Sequence, residues 1–311
     1  MEKLTLVHDL AKSICSCPEV KNALNDKSHP CYGVVAEQNL FIENNEEKRQ
    51  RPEPWIGRIG SDKVLFISSN PGISLDPGTE REDFPTYAKN PDEAADFFVE
   101  RFNQSNAPVH ATFQHPSEPD FLVRCIDGEY RSGMKRQKQS QQTWQGIHNL
   151  AEDLIGTGCD PDKNYALTEI VHCKSKDAKG VEKASKKCSD TWLPKILDLS
   201  TSNVVLLTGT KVRNNFAIPE LGFPSEFGSG KNYTNITQKE RSLRDIRVST
   251  FGGRLRLYVF IFHPTYAVSP KRLEDIYGLN VLNWIRGIVA GEETVPQSDE
   301  TLKKILVHLF P

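Results

Sequence analysis

The chain lacks the long apolar runs and the even cysteine count that mark several large classes of protein. No apolar stretch in its 311 residues approaches the roughly 20 residues that cross a bilayer. Glu2 and Asp9 interrupt the opening segment, where a signal peptide would be apolar. The cysteines number seven, and an odd count does not suit a disulfide framework. We therefore expect a cytoplasmic protein with reduced thiols and no membrane partner.

An excess of basic residues is also missing. The 39 Lys and Arg residues are balanced by 41 Asp and Glu residues, which gives a formal net charge of -2. Any contact to nucleic acid must then come from local patches. Two stretches are basic, 131–138, which contains no acid, and 174–187. Ordinary solvated faces are the alternative interpretation of both.

Internal repeats and low-complexity tracts are absent too, which favours a single elaborated domain over 1–311, with a core at about 55–290 and a helical arm at 1–54. Apolar, β-branched runs predict strands at 63–69, 165–172, 203–208 and 256–262. Apolar spacing of three to four predicts helices at 91–102, 142–154, 181–199, 271–287 and 301–309. This alternation predicts an α/β fold: a three-layer αβα domain with a central, mainly parallel four-stranded sheet and additional N-terminal and C-terminal helices.

Polar residues follow the first and the last of the predicted strands. The first strand runs into Asn70-Pro71-Gly72, and the last runs into His263-Pro264. Each motif taken alone is an ordinary turn. Because sites in parallel sheets form at the carboxyl ends of the strands, the two together predict one crevice flanked by an amide and an imidazole.

These motifs resemble those of the uracil-DNA glycosylase superfamily. The likeness includes the Cys173-Lys174 step after the second strand, the Cys-x3-Trp-Leu pattern that begins at Cys188, and the VVLLTG run that begins at Val204. The motifs occur in the family's order over roughly 55–266. The resemblance implies a monofunctional DNA glycosylase, which flips a base out of DNA and hydrolyses its N-glycosidic bond to leave an abasic site.

The resemblance also implies roles for the residues at the strand ends. His263 donates a hydrogen bond to the departing base, and Asn70 holds the attacking water. Ser69 and Gly72 of the same motif contact the substrate. An amide cannot act as a general base, so Asp76 is a weaker candidate for assisting the water.

Two similar motifs fall outside this pattern. His115-Pro116-Ser117 matches the family's closing tripeptide, but it precedes the second strand instead of following the last one. The stretch that ends in Gly230-Lys231-Asn232 resembles a phosphate loop, yet Ser225 stands where the first Gly belongs and Asn232 where Ser or Thr would meet the metal. We therefore expect no nucleotide cofactor.

Glu169 stands where the cluster-containing branch of the superfamily carries an Asn that reads the base edge. An ionised carboxylate only accepts hydrogen bonds, so it suits the exocyclic amine of cytosine and repels O4 of uracil; a protonated one also donates to N3. Because excision of ordinary cytosine would destroy the host genome, this favours a modified cytosine of phage DNA, hydroxymethylated or glucosylated, and antiviral defence. The alternative is that Glu169 faces a buried partner. Phe84 and Tyr87 are the aromatic candidates for stacking on the flipped base.

The cysteines follow the pattern of that branch only in part. Cys173 and Cys188 are spaced like two of its iron–sulfur ligands, whereas the family's Cys-x2-Cys pair is replaced here by Cys15-x-Cys17 and a separate Cys31. The resemblance implies a [4Fe–4S] cluster, which we assign to Cys173, Cys188, Cys17 and Cys31. Simple burial of small thiols is the alternative.

The predicted partner is DNA, and its phosphates would meet basic residues near the motifs. We assign these contacts to Lys174, Lys176, Lys179, Arg131, Lys135, Arg136, Lys271 and Arg272. Two other functions stay open at this point. One is a uracil-DNA glycosylase of base-excision repair, and the other is a DNA-binding or sensing module of the same fold without turnover.

Overall fold

The structure, a computed structural model, describes residues 2–40, 42, 45–72, 85–100, 122–124, 130–132, 138–161, 163–225, 236–263 and 272–310. Within these ranges, no helix combines the length and the apolar character that crossing a bilayer requires.

Strands and helices alternate along the chain. The strands are β1 (Ile56–Gly57), β2 (Val64–Ser68), β3 (Leu122–Arg124), β4 (Tyr130–Ser132), β5 (Tyr165–Glu169), β6 (Val204–Thr208), β7 (Ile246–Ser249) and β8 (Arg256–Ile261). Six of them form one sheet in the order β1-β5-β2-β6-β8-β7. The inner four strands are parallel and the two outer ones antiparallel. β3 and β4 form a separate antiparallel pair.

The predicted α/β class and the mainly parallel sheet are confirmed, and the sheet has six strands instead of the predicted four. The inner strands β2, β5, β6 and β8 are the four predicted ones, and every residue in them is buried. Continuous apolar runs are what a parallel sheet covered on both faces requires. The two edge strands do not form such apolar runs, because β1 has only two residues and β7 is buried at only two of its four positions.

The described helices are α1 (Glu2–Cys15), α2 (Pro18–Asn25), α3 (Tyr32–Ala36), α4 (Pro91–Glu100), α5 (Lys138–Ile155), α6 (Val181–Leu199), α7 (Thr210–Val212), α8 (Ile218–Leu221), α9 (Gln238–Asp245), α10 (Leu273–Tyr277), α11 (Leu279–Ala290) and α12 (Asp299–His308). A π-helical turn at Arg213–Ala217 joins α7 to α8, and short 3-10 turns occupy Glu37–Leu40, Glu46–Lys48 and Lys176–Ala178.

One predicted helix, 271–287, is two helices in the structure. Gly278 separates α10 from α11 with φ +85° and ψ 156°. This backbone conformation cannot continue an α-helix, and a residue with a side chain rarely adopts it. Helix α6 has the predicted bounds, and the others differ from prediction by a few residues at their ends.

One hydrophobic cluster extends from Val7 in α1 to Leu306 in α12 and includes the inner strands of the sheet. A smaller cluster of Cys15, Ala94 and Phe98 joins α1 to α4. Helices of the 1–54 segment therefore share a hydrophobic core with the sheet.

Candidate functional site

The four parallel strands end at one edge of the sheet, and the chain beyond them stays hydrogen-bonded. Three backbone bonds extend the ladders past the strand ends: Ile170 N to Ser68 O at 2.9 Å, Val171 N to Ser69 O at 3.1 Å, and Gly209 N to Ile261 O at 2.8 Å. The segments that carry the candidate side chains are thereby held in register with one another.

Asn70 is fixed at this edge by its own amide group. Its Nδ2 donates to Ser175 Oγ and to Pro71 O, both at 3.0 Å. Ser175 is buried, and its backbone N donates to Pro71 O at 3.3 Å, beside the bridge that pairs it with Gly72. Both amide hydrogens of Asn70 are thus used, whereas its Oδ1 has no hydrogen-bond partner among the described residues. The side chain presents a fixed acceptor, which is what holding a water requires.

His263 follows β8, the strand two places from β2. It is half-buried, and burial lowers the pKa of its imidazole below the usual value, so the ring is neutral at pH 7. Gly209, at the end of the intervening strand β6, adopts φ +92°, and a Cβ there would lie 3.5 Å from His263 Cβ. With strands about 4.8 Å apart, the segments carrying Asn70 and His263 are about 10 Å apart across this edge. The neutral ring keeps one N–H as a donor.

Glu169 ends β5 and pairs in register with Ser68 of β2. The residue is 8% exposed, and its Oε2 is buried without a hydrogen-bond partner in the described part of the chain. Burial, followed by the negative charge of Glu53, raises the pKa of this carboxyl well above its usual value, while Ser68 and Lys174 act in the opposite direction. The environment favours the protonated acid, which both donates and accepts hydrogen bonds.

Lys174 lies inside the protein, not at the rim where a phosphate contact was expected. It is 2% exposed, and its Nζ is 3.0 Å from Oε2 of the equally buried Glu53. The Glu53 backbone pairs with His172 through Glu53 N to His172 O at 2.9 Å and His172 Nδ1 to Glu53 O at 2.8 Å. The sequence gives no signal for Glu53, which stands between two prolines. The ion pair with Glu53 explains how the charged Lys174 can be buried.

The other predicted phosphate contacts differ in their surroundings. Lys176 is exposed in a 3-10 turn. Lys179 is exposed, and its Nζ lies 2.6 Å from Oε2 of buried Glu37, while Arg272 forms an ion pair with Asp153. Arg131 lies in β4, of which only the backbone is described. The remaining predicted residues lie outside the described residues: Phe84, Lys135, Arg136 and Lys271, together with Asp76, His115 and the loop at 229–232.

Tyr87 lies beside the cysteines. The Arg51 guanidinium carbon sits 4.4 Å from the centre of its ring. Burial raises the pKa of the phenol, and the Cys173 and Cys17 thiols raise it further. This face of the ring is therefore covered by a cation of the protein itself.

Four cysteines line one cavity of about 380 Å³, a volume that includes space open to solvent. Cys17 precedes α2, Cys31 precedes α3, Cys173 follows β5, and Cys188 lies in α6. Cys15 is excluded, since it packs with Ala94 and Phe98 in the smaller cluster. The four cysteines assigned from the sequence are thus the four that the fold brings together.

The cavity has the donor set of an iron–sulfur cluster. Four thiolates are the ligands that a [4Fe–4S] cluster takes. Among the described residues, no group of three or more His, Cys, Asp or Glu side chains is placed to hold a metal ion, so the match concerns only the type of the four side chains. Burial raises the pKa of Cys31 to about 11 and raises those of the other three thiols as well. Bound iron would supply the positive charge that stabilises the thiolates.

No protein-family model matches this chain, and no curated protein sequence matches it.

Proposed function

We propose that the protein is a monofunctional DNA glycosylase that releases a flipped, non-canonical pyrimidine. The observation that carries this proposal is the fixed amide of Asn70. Its Nδ2 is held by Ser175 and Pro71 while its Oδ1 stays unpartnered among the described residues. It shares a sheet edge with His263, a neutral and half-buried imidazole.

Each of these groups matches one demand of the reaction. Hydrolysis of an N-glycosidic bond passes through an oxocarbenium-like sugar and leaves an anionic base. His263 donates its ring N–H to the oxygen of the departing base, and Asn70 Oδ1 accepts a hydrogen bond from the water that attacks the sugar. Because an amide does not remove a proton at neutral pH, stabilisation of the leaving base has to supply most of the rate enhancement.

Glu169 is the proposed reader of the base edge. In its protonated form it accepts from the N4 amine of cytosine and donates to N3. A cytosine reader needs a further mark on the base to spare host DNA, so hydroxymethylated or glucosylated cytosine of phage DNA is our first substrate. Antiviral defence is the corresponding role. Glu169 is 8% exposed, so only a small part of its side chain is accessible to a base in this structure.

Uracil is the second candidate, and one observation favours it. The pKa of Glu169 is raised by burial and by Glu53, and the resulting neutral acid also accepts from uracil N3–H and donates to O4. The repulsion between an ionised carboxylate and O4 is then absent. Base-excision repair is the role that this substrate implies.

We propose in addition that the fold has three layers. The crossover from β2 to β5 and the one from β5 to β6 run in opposite directions across the sheet. Since such crossovers are right-handed in about 98% of cases, α5 and α6 would cover opposite faces.

The proposed cofactor is a [4Fe–4S] cluster on Cys17, Cys31, Cys173 and Cys188. When bound, it would tie the starts of α2 and α3 to the segment after β5 and to α6. Anaerobically purified protein should be brown, with broad absorption near about 400 nm. Cys188→Ser should lose this colour, whereas Cys15→Ser, a matched control outside the cavity, should keep it. Colourless wild-type protein without iron would contradict the cluster.

A base-release assay separates the candidate functions. Purified protein is incubated with oligonucleotides that contain uracil, 5-hydroxymethylcytosine or its glucosylated form, and abasic sites are then cleaved with alkali. Release of a cytosine derivative supports the first substrate. Release of uracil alone places the repair function first. Binding to these oligonucleotides without release of any base would contradict catalysis and leave the DNA-binding module.

A further inference from the structure

Glu19, in α2, joins three segments at the wall of the cysteine cavity. Its Oε1 lies 3.0 Å from Lys187 Nζ on α6, and its Oε2 lies 3.0 Å from His29 Nε2 in the loop before α3. Asn22 Nδ2 donates to Oε2 at 3.1 Å. The side chains of Glu19 and His29 are only 20% and 15% exposed. One carboxylate therefore links α2, α6 and the intervening loop.

Each of these three segments carries one of the cavity's thiols. Glu19 is two residues beyond Cys17, and Lys187 directly precedes Cys188. The contact to the third segment is more direct, because the backbone N of Cys31 donates to His29 Nδ1 at 3.1 Å.

The two hydrogen bonds of the His29 ring define its tautomer. Since Nδ1 accepts from a backbone N–H, the ring proton resides on Nε2 and is donated to the Glu19 carboxylate. A continuous chain of hydrogen bonds thus runs from the Cys31 backbone through His29 to Glu19. The fourth thiol, Cys173, depends on none of these contacts and is positioned by the segment after β5.

We propose that Glu19 is a positioning residue that holds the Cys17, Cys31 and Cys188 segments around the cavity and thereby slows the loss of iron from the cluster. The inference rests on the cluster proposed above and not on the base-release activity. Hydrogen-bonded partners behind metal ligands orient those ligands, and their mutation typically costs about 10- to 100-fold in metal affinity. Glu19 reaches the Cys188 segment through Lys187 and the Cys31 segment through His29, and it lies two residues from Cys17.

Glu19→Gln tests the inference, and Glu220→Gln is its matched control. Glu220 Oε1 lies 3.3 Å from Nζ of Lys186, the neighbour of Lys187 on the same helix, and its side chain is 24% exposed. Apoprotein is reconstituted anaerobically with ferrous iron and sulfide, and iron per chain is measured. Iron release to an added chelator is then followed by the decay of absorbance near about 400 nm. We expect Glu220→Gln to match wild type and Glu19→Gln to release iron at least about 10-fold faster.

The outcomes distinguish the two proposals from each other. Iron release from Glu19→Gln at the wild-type rate would overturn the role of Glu19 and leave the cluster intact. Wild-type protein that takes up no iron would overturn both, while the base-release assay remains an independent test of the glycosylase. Circular dichroism checks the fold of each variant. If Glu19→Gln does not fold, Lys187→Gln removes the ion pair to α6 and keeps the hydrogen bond to His29, and wild-type iron release from that variant counts against the inference.

Discussion

Replacing Ser175 with alanine removes the hydroxyl that accepts from Asn70 Nδ2 at 3.0 Å without altering a group assigned to the reaction. A hydrogen bond of this kind contributes about 0.5–1.5 kcal/mol net. Since about 1.36 kcal/mol of barrier corresponds to a tenfold change in rate, Ser175→Ala should slow base release by about 2- to 13-fold. Asn70→Ala removes the water-holding group itself, and we expect a loss of about 10² to 10³.

The double variant shows whether Ser175 acts through Asn70. Single-turnover base release is measured for Ser175→Ala, Asn70→Ala and the two changes combined, on whichever oligonucleotide the wild type cleaves. The double variant should be no slower than Asn70→Ala, because the hydroxyl then has no amide to hold. Ser189→Ala is the matched control, since Ser189 is also buried and, among the described residues, its hydroxyl donates to the backbone of α6. A wild-type rate for Ser175→Ala, or fully additive losses, would refute the proposed anchor.

Three further predictions concern the same edge of the sheet. His263→Ala should slow base release by about 10² to 10³, whereas His115→Ala, in the similar tripeptide that precedes β5, should be almost silent; a near-wild-type rate for His263→Ala would remove the imidazole from the mechanism. Glu169→Asn should change the preference between modified cytosine and uracil by less than about 10-fold, because the amide offers an acceptor and a donor as the protonated acid does; a shift toward uracil of about 10- to 100-fold, the value of one correct base contact at about 1–3 kcal/mol, would show instead that Glu169 reads the base as an ionised carboxylate. Robust uracil excision by the wild type, with no action on any cytosine derivative, would reverse our order of substrates. The pKa of Glu169 is higher in the folded protein than its ordinary value of 4.5, so the folded state binds this proton more tightly and its stabilising effect is lost as pH rises above about 4.5. Glu169→Gln should accordingly lose less stability than wild type between pH 5 and pH 8 in urea unfolding, and parallel pH profiles of the two proteins would contradict the raised pKa.

The inner strands of the sheet were predictable because they consist almost entirely of buried apolar residues. Strands β2, β5, β6 and β8 are buried along their whole length, and such strands read as continuous apolar runs. The edge strand β7 could not be found in this way. Arg247 and Ser249 interrupt its apolar residues, and its pairing with β8 depends on the fold around it. The break at Gly278 depends likewise on a backbone conformation that an apolar spacing does not reveal.

The candidate site was predictable where a motif marks a strand end, and not where a partner comes from a distant segment. Asn70 and His263 follow β2 and β8, and this placement at the edge of the sheet was predictable from the strand pattern. Ser175 and Glu53 were missed, because a serine that binds an amide 105 positions away and a glutamate between prolines carry no local signal. Lys174 was misplaced at the rim for the same reason, since its partner Glu53 lies far away in the chain.

One short segment connects the two proposed centres of this protein. Residues 169–175 contain Glu169, which we propose reads the base, the Cys173 thiol of the cavity, and Ser175, which anchors Asn70. His172, between them, is held by the Glu53 backbone and also donates from its own backbone N to Cys188 Sγ at 3.5 Å. Cys173 lies two residues from Ser175, so the proposed cluster and the proposed reaction site share one short backbone segment.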